Sequence, residues 1–184
     1  MSAIKNVIQN KKEYFCTVYG KSVFLKDFHS ISYMNYETNE YCEDKDNNTN
    51  HVYRQFCVVD LDGDGVPELI LESETAFGNE LIFHYENGVV YGYVFALRDF
   101  KWIKKDGSFL GSGSAAHEVV GKFSFSKYEV IFNELCLFNK LIDVYRINGK
   151  NVSQEEVRKH IKKQDKKKDA EWYTYDEKVF PFSH

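Results

Sequence analysis

The feature that most constrains this chain is an acidic loop between two apolar runs, residues 60–68, with the sequence DLDGDGVPE. Asp60, Asp62 and Asp64 alternate along the loop, so their carboxylates can converge on one point. A hard cation such as Ca²⁺ takes roughly six to eight oxygen ligands, and Gly65 occupies the sixth place, where a sharp turn favours a residue without a Cβ. The loop therefore predicts a calcium site.

The predicted ligands are three carboxylates, one backbone carbonyl and a glutamate that binds directly or through water. In chain order they are Asp60, Asp62, Asp64, the carbonyl of Val66, and Glu68. An EF-hand loop would end with a bidentate glutamate at its twelfth place, where this chain has Leu71. The flanking runs, residues 52–59 and 69–72, are of strand length and rich in apolar or β-branched residues. The site is therefore predicted on a strand-loop-strand unit.

The loop resembles the calcium loops of integrin-type FG-GAP repeats, whose pattern is DxDxDGxxD. Glu68 stands where that pattern has its last aspartate. The chain has one copy, so the resemblance implies a calcium loop and not a propeller. A looser resemblance covers DLDGDGVPEL at residues 60–69 and YENGV at residues 85–89, and the run 145–153 fits it. It is to uncharacterised surface or secreted domains of gut-dwelling clostridial bacteria, and it implies no activity.

Two alternatives remain for the loop. One is a metal-free turn, since Asp-Gly pairs are ordinary turn formers. Three aspartates spaced two apart repel one another at neutral pH, however, and a turn alone gains nothing from that repulsion. The other is Mg²⁺, which usually accepts fewer protein oxygens than this loop offers. We favour calcium over both.

Length and composition limit the class of protein. At 184 residues with 43% hydrophobic content, the chain suffices for one core, so we expect a single domain over residues 1–184. A net charge of −4 gives no basic footprint for nucleic acid. No apolar run reaches the roughly 18 residues of a membrane span, so no transmembrane segment is expected.

We predict an α+β fold, a largely antiparallel meander sheet with an N-terminal and a C-terminal helix. Apolar positions at mixed spacings of three and four predict the first helix over residues 3–18. Ser153 and Glu156 form a capping-box pattern that opens the second helix, which we expect to run to about Lys167. The aromatic C-terminal run, which begins at Trp172, is expected to fold back on the body.

Turn residues divide the middle of the chain into strands. Asn87-Gly88 and Asp106-Gly107 each predict a tight hairpin. Residues 111–116, GSGSAA, are small, which predicts a flexible loop suited to a binding rim. The further strands we expect are residues 119–125, 128–138 and 141–147.

The remaining cysteine, histidine and lysine residues give only weak evidence for a second functional site. The four cysteines include no CxxC pair, and Cys57 and Cys136 lie in apolar runs, which predicts buried free thiols. His117-Glu118 is the one pair that suits acid or base work, but no nucleophile accompanies it, so a solvated pair is favoured. Lysines in residues 162–168 are interpreted as a solvated helix end and not as a phosphate or lipid site.

The sequence therefore favours a non-catalytic, calcium-binding domain whose ion is structural and whose partner is a protein or a glycan. Weak loop sites suit millimolar external calcium, which favours an extracellular or cell-surface location. The start of the chain has no apolar export segment, so this location requires that an upstream signal has been removed, and otherwise we expect the cytoplasm. The alternatives are an intracellular interaction or inhibitor protein, and an enzyme whose site is assembled from distant residues.

Overall fold

The computed structural model describes residues 2–28, 31–35, 40–43, 52–74, 79–96, 101–114 and 116–176, and it has an α+β architecture. The helices are α1 (Ser2–Ile8) and α2 (Gln154–Asp165). The strands are β1 (Tyr14–Cys16), β2 (Lys21–Val23), β3 (Ile31–Asn35), β4 (Glu40–Glu43), β5 (Tyr53–Val59), β6 (Glu68–Ser73), β7 (Asn79–Glu86), β8 (Val89–Ala96), β9 (Phe109–Ser114), β10 (His117–Phe125), β11 (Val130–Asn139), β12 (Val144–Ile147), β13 (Lys150–Asn151) and β14 (Trp172–Thr174).

The described strands form two main sheets and one small hairpin. The first sheet has the order β14-β5-β6-β7-β8-β1-β2, the second has the order β13-β12-β11-β10-β9, and β3 pairs with β4. Among these described strands, every pairing is antiparallel except that of β1 with β8, which is parallel. The predicted antiparallel meander is thus confirmed for β5 to β8 and again for β9 to β13, whereas the prediction of one sheet is wrong.

The core is divided among four layers. Helix α1 covers one face of the first sheet, where Ile4 packs with Leu69. Because strand side chains alternate between faces, Ile70 points the other way and packs with Phe109 of the second sheet. Helix α2 closes the far side of the second sheet with Val157. Burial of each such side chain contributes about 1.5–3 kcal/mol, so the layers are held mainly by apolar contact.

The N-terminal helix is shorter than the predicted span of residues 3–18. It ends near Ile8, and Asn10 adopts a left-handed φ of 51°, a conformation that terminates helices. The chain then forms β1, in which Phe15 pairs with Tyr91 of β8. The apolar spacing of residues 3–18 fits a helix. Residues 14–16 nevertheless form a strand, because they pair with β8 of the first sheet.

The C-terminal helix confirms the capping-box prediction. Ser153 Oγ accepts a hydrogen bond from the Glu156 backbone N–H at 3.3 Å, and Glu156 Oε2 accepts one from the Ser153 N–H at 2.8 Å. The helix ends at Asp165, two residues before the expected end at Lys167. After it, β14 pairs antiparallel with β5, which confirms that the run starting at Trp172 folds back. Residues 177–184 lie outside the described part.

The predicted hairpin at Asn87-Gly88 is confirmed, since both residues have positive φ, 51° and 88°, between β7 and β8. The prediction of a flexible loop over residues 111–116 is wrong. Residues 111–114 belong to β9, where Gly111 pairs with Val119, because backbone pairing does not depend on large side chains. Residue 115 lies outside the described part.

Three cysteines, Cys16, Cys57 and Cys136, are buried free thiols. This confirms the expectation for Cys57 and Cys136. Burial raises the pKa of the Cys57 thiol to about 12, so the group is held in its unreactive protonated form.

Candidate metal centre

The acidic loop joins β5 to β6, and Val59 pairs with Glu68 where the two strands meet it. Both glycines of the loop have positive φ, 85° at Gly63 and 86° at Gly65, which turns the chain sharply. The sharp turn expected at Gly65 is therefore present. Strand pairing on either side holds the two ends of the loop together.

The loop folds its backbone around its own carboxylates. Asp60 accepts hydrogen bonds from the N–H groups of Gly63 at 2.6 Å and Gly65 at 3.0 Å. Asp62 Oδ1 accepts from the Asp64 N–H at 3.1 Å, and Asp64 Oδ1 accepts from the Val66 N–H at 2.6 Å. Within the described chain, the second oxygen of Asp62 and that of Asp64 receive no hydrogen bond. The backbone thus orients the carboxylates and leaves oxygen atoms available for a ligand.

The three aspartates converge as their spacing predicts. One carboxylate oxygen from each of Asp60, Asp62 and Asp64 lies within 4.8 Å of the others. Asp60 and Asp62 are half-buried and Asp64 is exposed. Among the residues that the structure describes, no lysine, arginine or histidine forms an ion pair with any of the three. The loop therefore gathers negative charge that the described chain does not neutralise by direct pairing.

A second group lies beneath the loop, where Glu68 is fully buried. Glu68 Oε2 accepts a hydrogen bond from the Leu61 N–H at 2.8 Å, and His84 Nδ1 donates to Glu68 Oε1 at 2.9 Å. Ligand atoms of Asp62, Glu68 and His84 also lie within 4.8 Å of one another. Asp62 thus belongs to both groups, and Glu68 connects the loop to the sheet.

His84 was not selected by the sequence pattern, although it lies at the centre of this second group. It is in β7, 16 residues after Glu68, and its ring stacks on Phe125 with centroids 4.9 Å apart. The register that pairs Leu69 with Phe83 places Glu68 opposite His84. Only this register could have indicated the contact, and local spacing contains no information about it.

The pKa values reflect the concentration of carboxylates. Partial burial raises the pKa of Asp62, and the charges of Asp64 and Asp60 add to the shift. Burial alone would lower the pKa of His84, but the hydrogen bond to Glu68 and the charges of Glu68 and Asp62 raise it instead. The side chains of this cluster therefore keep their protons to a higher pH than they would in water, because a bound proton reduces the repulsion among the carboxylates.

The five predicted ligands have different placements. Asp60, Asp62 and Asp64 come together at the loop, whereas Glu68 lies one layer below and already accepts two hydrogen bonds. Val66 is half-buried beside Asp64. The strand-loop-strand geometry is present, and the identity of the ion stays a prediction.

The other polar candidates do not assemble into a comparable site. His117 and Glu118 lie in β10, and residues 111–114, which we predicted as a flexible loop beside them, form β9. Lys167, in the basic run after α2, pairs with Asp106 at 2.8 Å. That run therefore includes one lysine with a structural partner.

No family model, curated protein or solved structure matches the chain. None of the described helices is both long enough and apolar enough to cross a membrane.

Proposed function

We propose that this protein binds one calcium ion at the loop of residues 60–68, and that the ion stabilises the fold. The observation that carries the proposal is the convergence of Asp60, Asp62 and Asp64 within 4.8 Å without a directly paired cation among the described residues. The three carboxylates repel one another at this separation, and a bound divalent cation would offset that repulsion by attracting each of them.

The donor set favours calcium over other divalent ions. All five candidate ligands are oxygens, namely Asp60, Asp62, Asp64, the Val66 carbonyl and Glu68. Calcium accepts many oxygens at flexible geometry, whereas Mg²⁺ retains several waters. The nearby His84 nitrogen Nδ1 is engaged by Glu68, and a site dominated by oxygen is a poor match for zinc.

The packing of the loop supports a structural role for the ion. Leu61 is fully buried in the core between the two sheets, and Gly107 of the neighbouring turn lies directly against the Asp60 carbonyl and Leu61. An ion in the loop would therefore stabilise the end of the β5–β6 hairpin and the turn packed on it. Its ligands are clustered locally, and this favours a structural over a catalytic role.

We further propose that the protein is a non-catalytic, extracellular or cell-surface domain that binds a protein or a glycan. Loop sites with few rigid ligands have affinities suited to millimolar calcium, which is found outside cells. The resemblance of the loop to calcium loops of surface proteins supports the same assignment. Neither the net charge of −4 nor the chemistry of the loop favours a nucleic acid partner.

The test is a thermal melt of metal-stripped protein with and without millimolar calcium, on the parent and on Asp62→Asn. At about one hundred times the dissociation constant, calcium should raise the unfolding free energy of the parent by about 2.7 kcal/mol. Asp62→Asn should lose that response, yet be no less stable than the parent in chelator, because it removes charge repulsion.

The matched control is Asp106→Asn, which removes a carboxylate from the adjacent turn. Asp106 has its own cation in Lys167, so this variant should respond to calcium as the parent does. The proposal fails if the parent does not respond, or if Asp62→Asn responds equally. A larger response to magnesium than to calcium would overturn the choice of ion.

A further inference from the structure

A cleft of about 450 Å³ opens at one end of the core between the two sheets, away from the acidic loop. Residues from the first sheet, from the segment before β9 and from the segment after α2 line it. They are Gln55, Glu72, Glu80, Lys101, Trp102, Ile103, Asp169, Ala170 and Trp172. The volume lies in the range of roughly 300–1,000 Å³ that is typical of small-molecule sites.

The floor of the cleft is a polar row across three strands. Gln55 pairs with Glu72, and the register of β6 with β7 places Glu80 opposite Glu72. On the same face, the next row toward the loop contains Cys57 and Ile70 in the core between the sheets. Glu80 is 5% exposed, and the side chain of Glu72 is 14% exposed. Beyond this apolar row, the sheet face thus presents buried acceptors at the bottom of a cavity.

Both tryptophans of the chain line this cleft. Trp102 is 62% exposed and has a φ of 47°, a conformation that is unusual for a bulky residue. Paired hydrogen bonds between Lys101 and Leu110, at 2.7 and 2.9 Å, hold the backbone before it. A strained, exposed indole contributes little to the core, and such strain concentrates at binding sites.

The charges around the cleft are matched. Arg54 donates to Glu72 at 2.6 Å, Lys104 donates to Asp169 at 2.6 Å, and Lys101 also lines the cavity. The described lining has three carboxylates, Glu72, Glu80 and Asp169, and one cation, Lys101. Arg54 and Lys104 lie outside the lining but pair with two of those carboxylates, and with both counted the carboxylates and cations are equal in number. A site for an organic cation or for an anion would have an excess of the opposite sign. This cleft instead offers hydrogen-bond donors and acceptors beside two flat aromatic surfaces.

We propose that this cleft binds a neutral sugar ring of a glycan. The C–H face of a sugar ring is apolar and packs on an indole. The Glu72 oxygens accept from Arg54 and from the Gln55 amide nitrogen, and each carboxylate oxygen can accept a second hydrogen bond from a sugar hydroxyl, as can the Gln55 amide oxygen. The inference rests on the proposed binding function and names its ligand class. It does not depend on the calcium site, whose residues are separate from those of the cleft.

The experiment is a calorimetric titration of the full chain with cellotetraose, xylotetraose, mannotetraose and chitotetraose, with tryptophan fluorescence recorded in parallel. Since both tryptophans line the cleft, a sugar that binds there should change the emission and saturate. Trp102→Asn should weaken binding at least about tenfold, because stacking is lost. Asparagine tolerates positive φ, so this variant should fold at least as stably as the parent.

The matched control is Tyr128→Asn, which removes a 65% exposed aromatic side chain outside the cleft and should bind like the parent. The inference is overturned if no oligosaccharide binds, if Trp102→Asn binds as tightly as the parent, or if tetramethylammonium or acetate competes with the sugar. The calcium proposal is tested by a change in melting temperature, whereas the sugar proposal is tested by a binding affinity. Failure of one proposal can therefore be distinguished from failure of the other.

Discussion

Two Asp-Gly turns lie against each other in this protein, and they differ in how their charge is balanced. In the turn at Asp106-Gly107, Asp106 accepts from Lys167 at 2.8 Å and from the Ser108 N–H at 3.1 Å. In the acidic loop, three aspartates converge and no ion pair reaches them from the described chain. The turn at Asp106-Gly107 therefore has its own cation, whereas the charge of the acidic loop has no direct partner in the described chain, which is the basis of our calcium proposal.

The difference comes from distant parts of the chain. Lys167 follows α2, and with Gln164 of that helix it converges on the buried Ser108, which accepts from Lys167 Nζ at 3.0 Å and from Gln164 Nε2 at 2.8 Å. Beneath the acidic loop, the titratable His84 is connected to it through Glu68. Similar local turns are therefore stabilised by different means.

The largest effect is expected for His84→Phe, which tests how far the loop depends on that histidine. The variant keeps a flat ring against Phe125 but leaves the buried Glu68 carboxylate without its partner. Removing one member of a buried pair is strongly destabilising, so we expect a loss of about 3 kcal/mol in unfolding free energy at neutral pH. Urea denaturation measures it.

The half-buried His117→Phe is the control and should change stability by less than about 0.5 kcal/mol. Adding Glu68→Gln to His84→Phe should restore part of the loss, because no charge then remains buried. If His84→Phe alone stays within about 1 kcal/mol of the parent, the loop does not depend on this pair.

A smaller effect is expected for Gly107→Ala, which tests the contact between the two turns. Gly107 has a φ of 75°, and an added Cβ would lie 2.9 Å from Leu61 Cα and closer still to the Asp60 carbonyl oxygen. Strain and the backbone clash together should cost about 2 kcal/mol. The measurement is again urea denaturation.

Gly88→Ala separates these two contributions, since Gly88 has a φ of 88° and open space where the Cβ would be. It should cost about 1 kcal/mol from conformational strain alone. Equal losses at both positions would show that the close approach of the turns does not contribute to stability.

The smallest effect is expected for Asp106→Asn, which tests the turn with its own cation. Burial alone would raise the pKa of Asp106, but hydrogen bonds from Lys167 and Ser108 outweigh it and lower the pKa to about 2. A carboxyl with a depressed folded pKa stabilises the protein above its unfolded pKa and loses that contribution as pH falls. Because Asp106 is half exposed, we expect a loss of about 1 kcal/mol at neutral pH.

The difference between Asp106→Asn and the parent should shrink as pH falls from about 4 to about 2, because in that interval the unfolded parent binds a proton at Asp106 while the folded parent resists it. Urea denaturation at several pH values follows it. A difference that stays constant down to about pH 2 would mean that the ion pair with Lys167 does not contribute.

Predictions that depended on neighbouring residues agree with the structure. The capping box of Ser153 and Glu156, the turn at Asn87-Gly88 and the convergence of the loop aspartates each involve groups within a few positions of one another. Hydrogen bonds over such short separations are specified by residue type and spacing, so they can be predicted from the sequence.

Predictions that depended on what the chain packs against were less accurate. Residues 14–16 continue an apolar pattern that fits a helix, yet they join the first sheet as β1, and residues 111–114 look like a loop but form β9. In both cases, backbone pairing with a strand far away in sequence outweighs local preference. No local pattern identifies that strand.

The sequence by itself determined the acidic loop, its glycine turn and the two helix starts, because each follows from interactions within one turn of chain. Only the tertiary structure placed His84 under Glu68, brought Lys167 to Asp106 and set Trp102 and Trp172 around one cleft. Those contacts join residues from 16 to 70 positions apart. They exist because sheet register and layer packing, which are properties of the whole chain, bring them together.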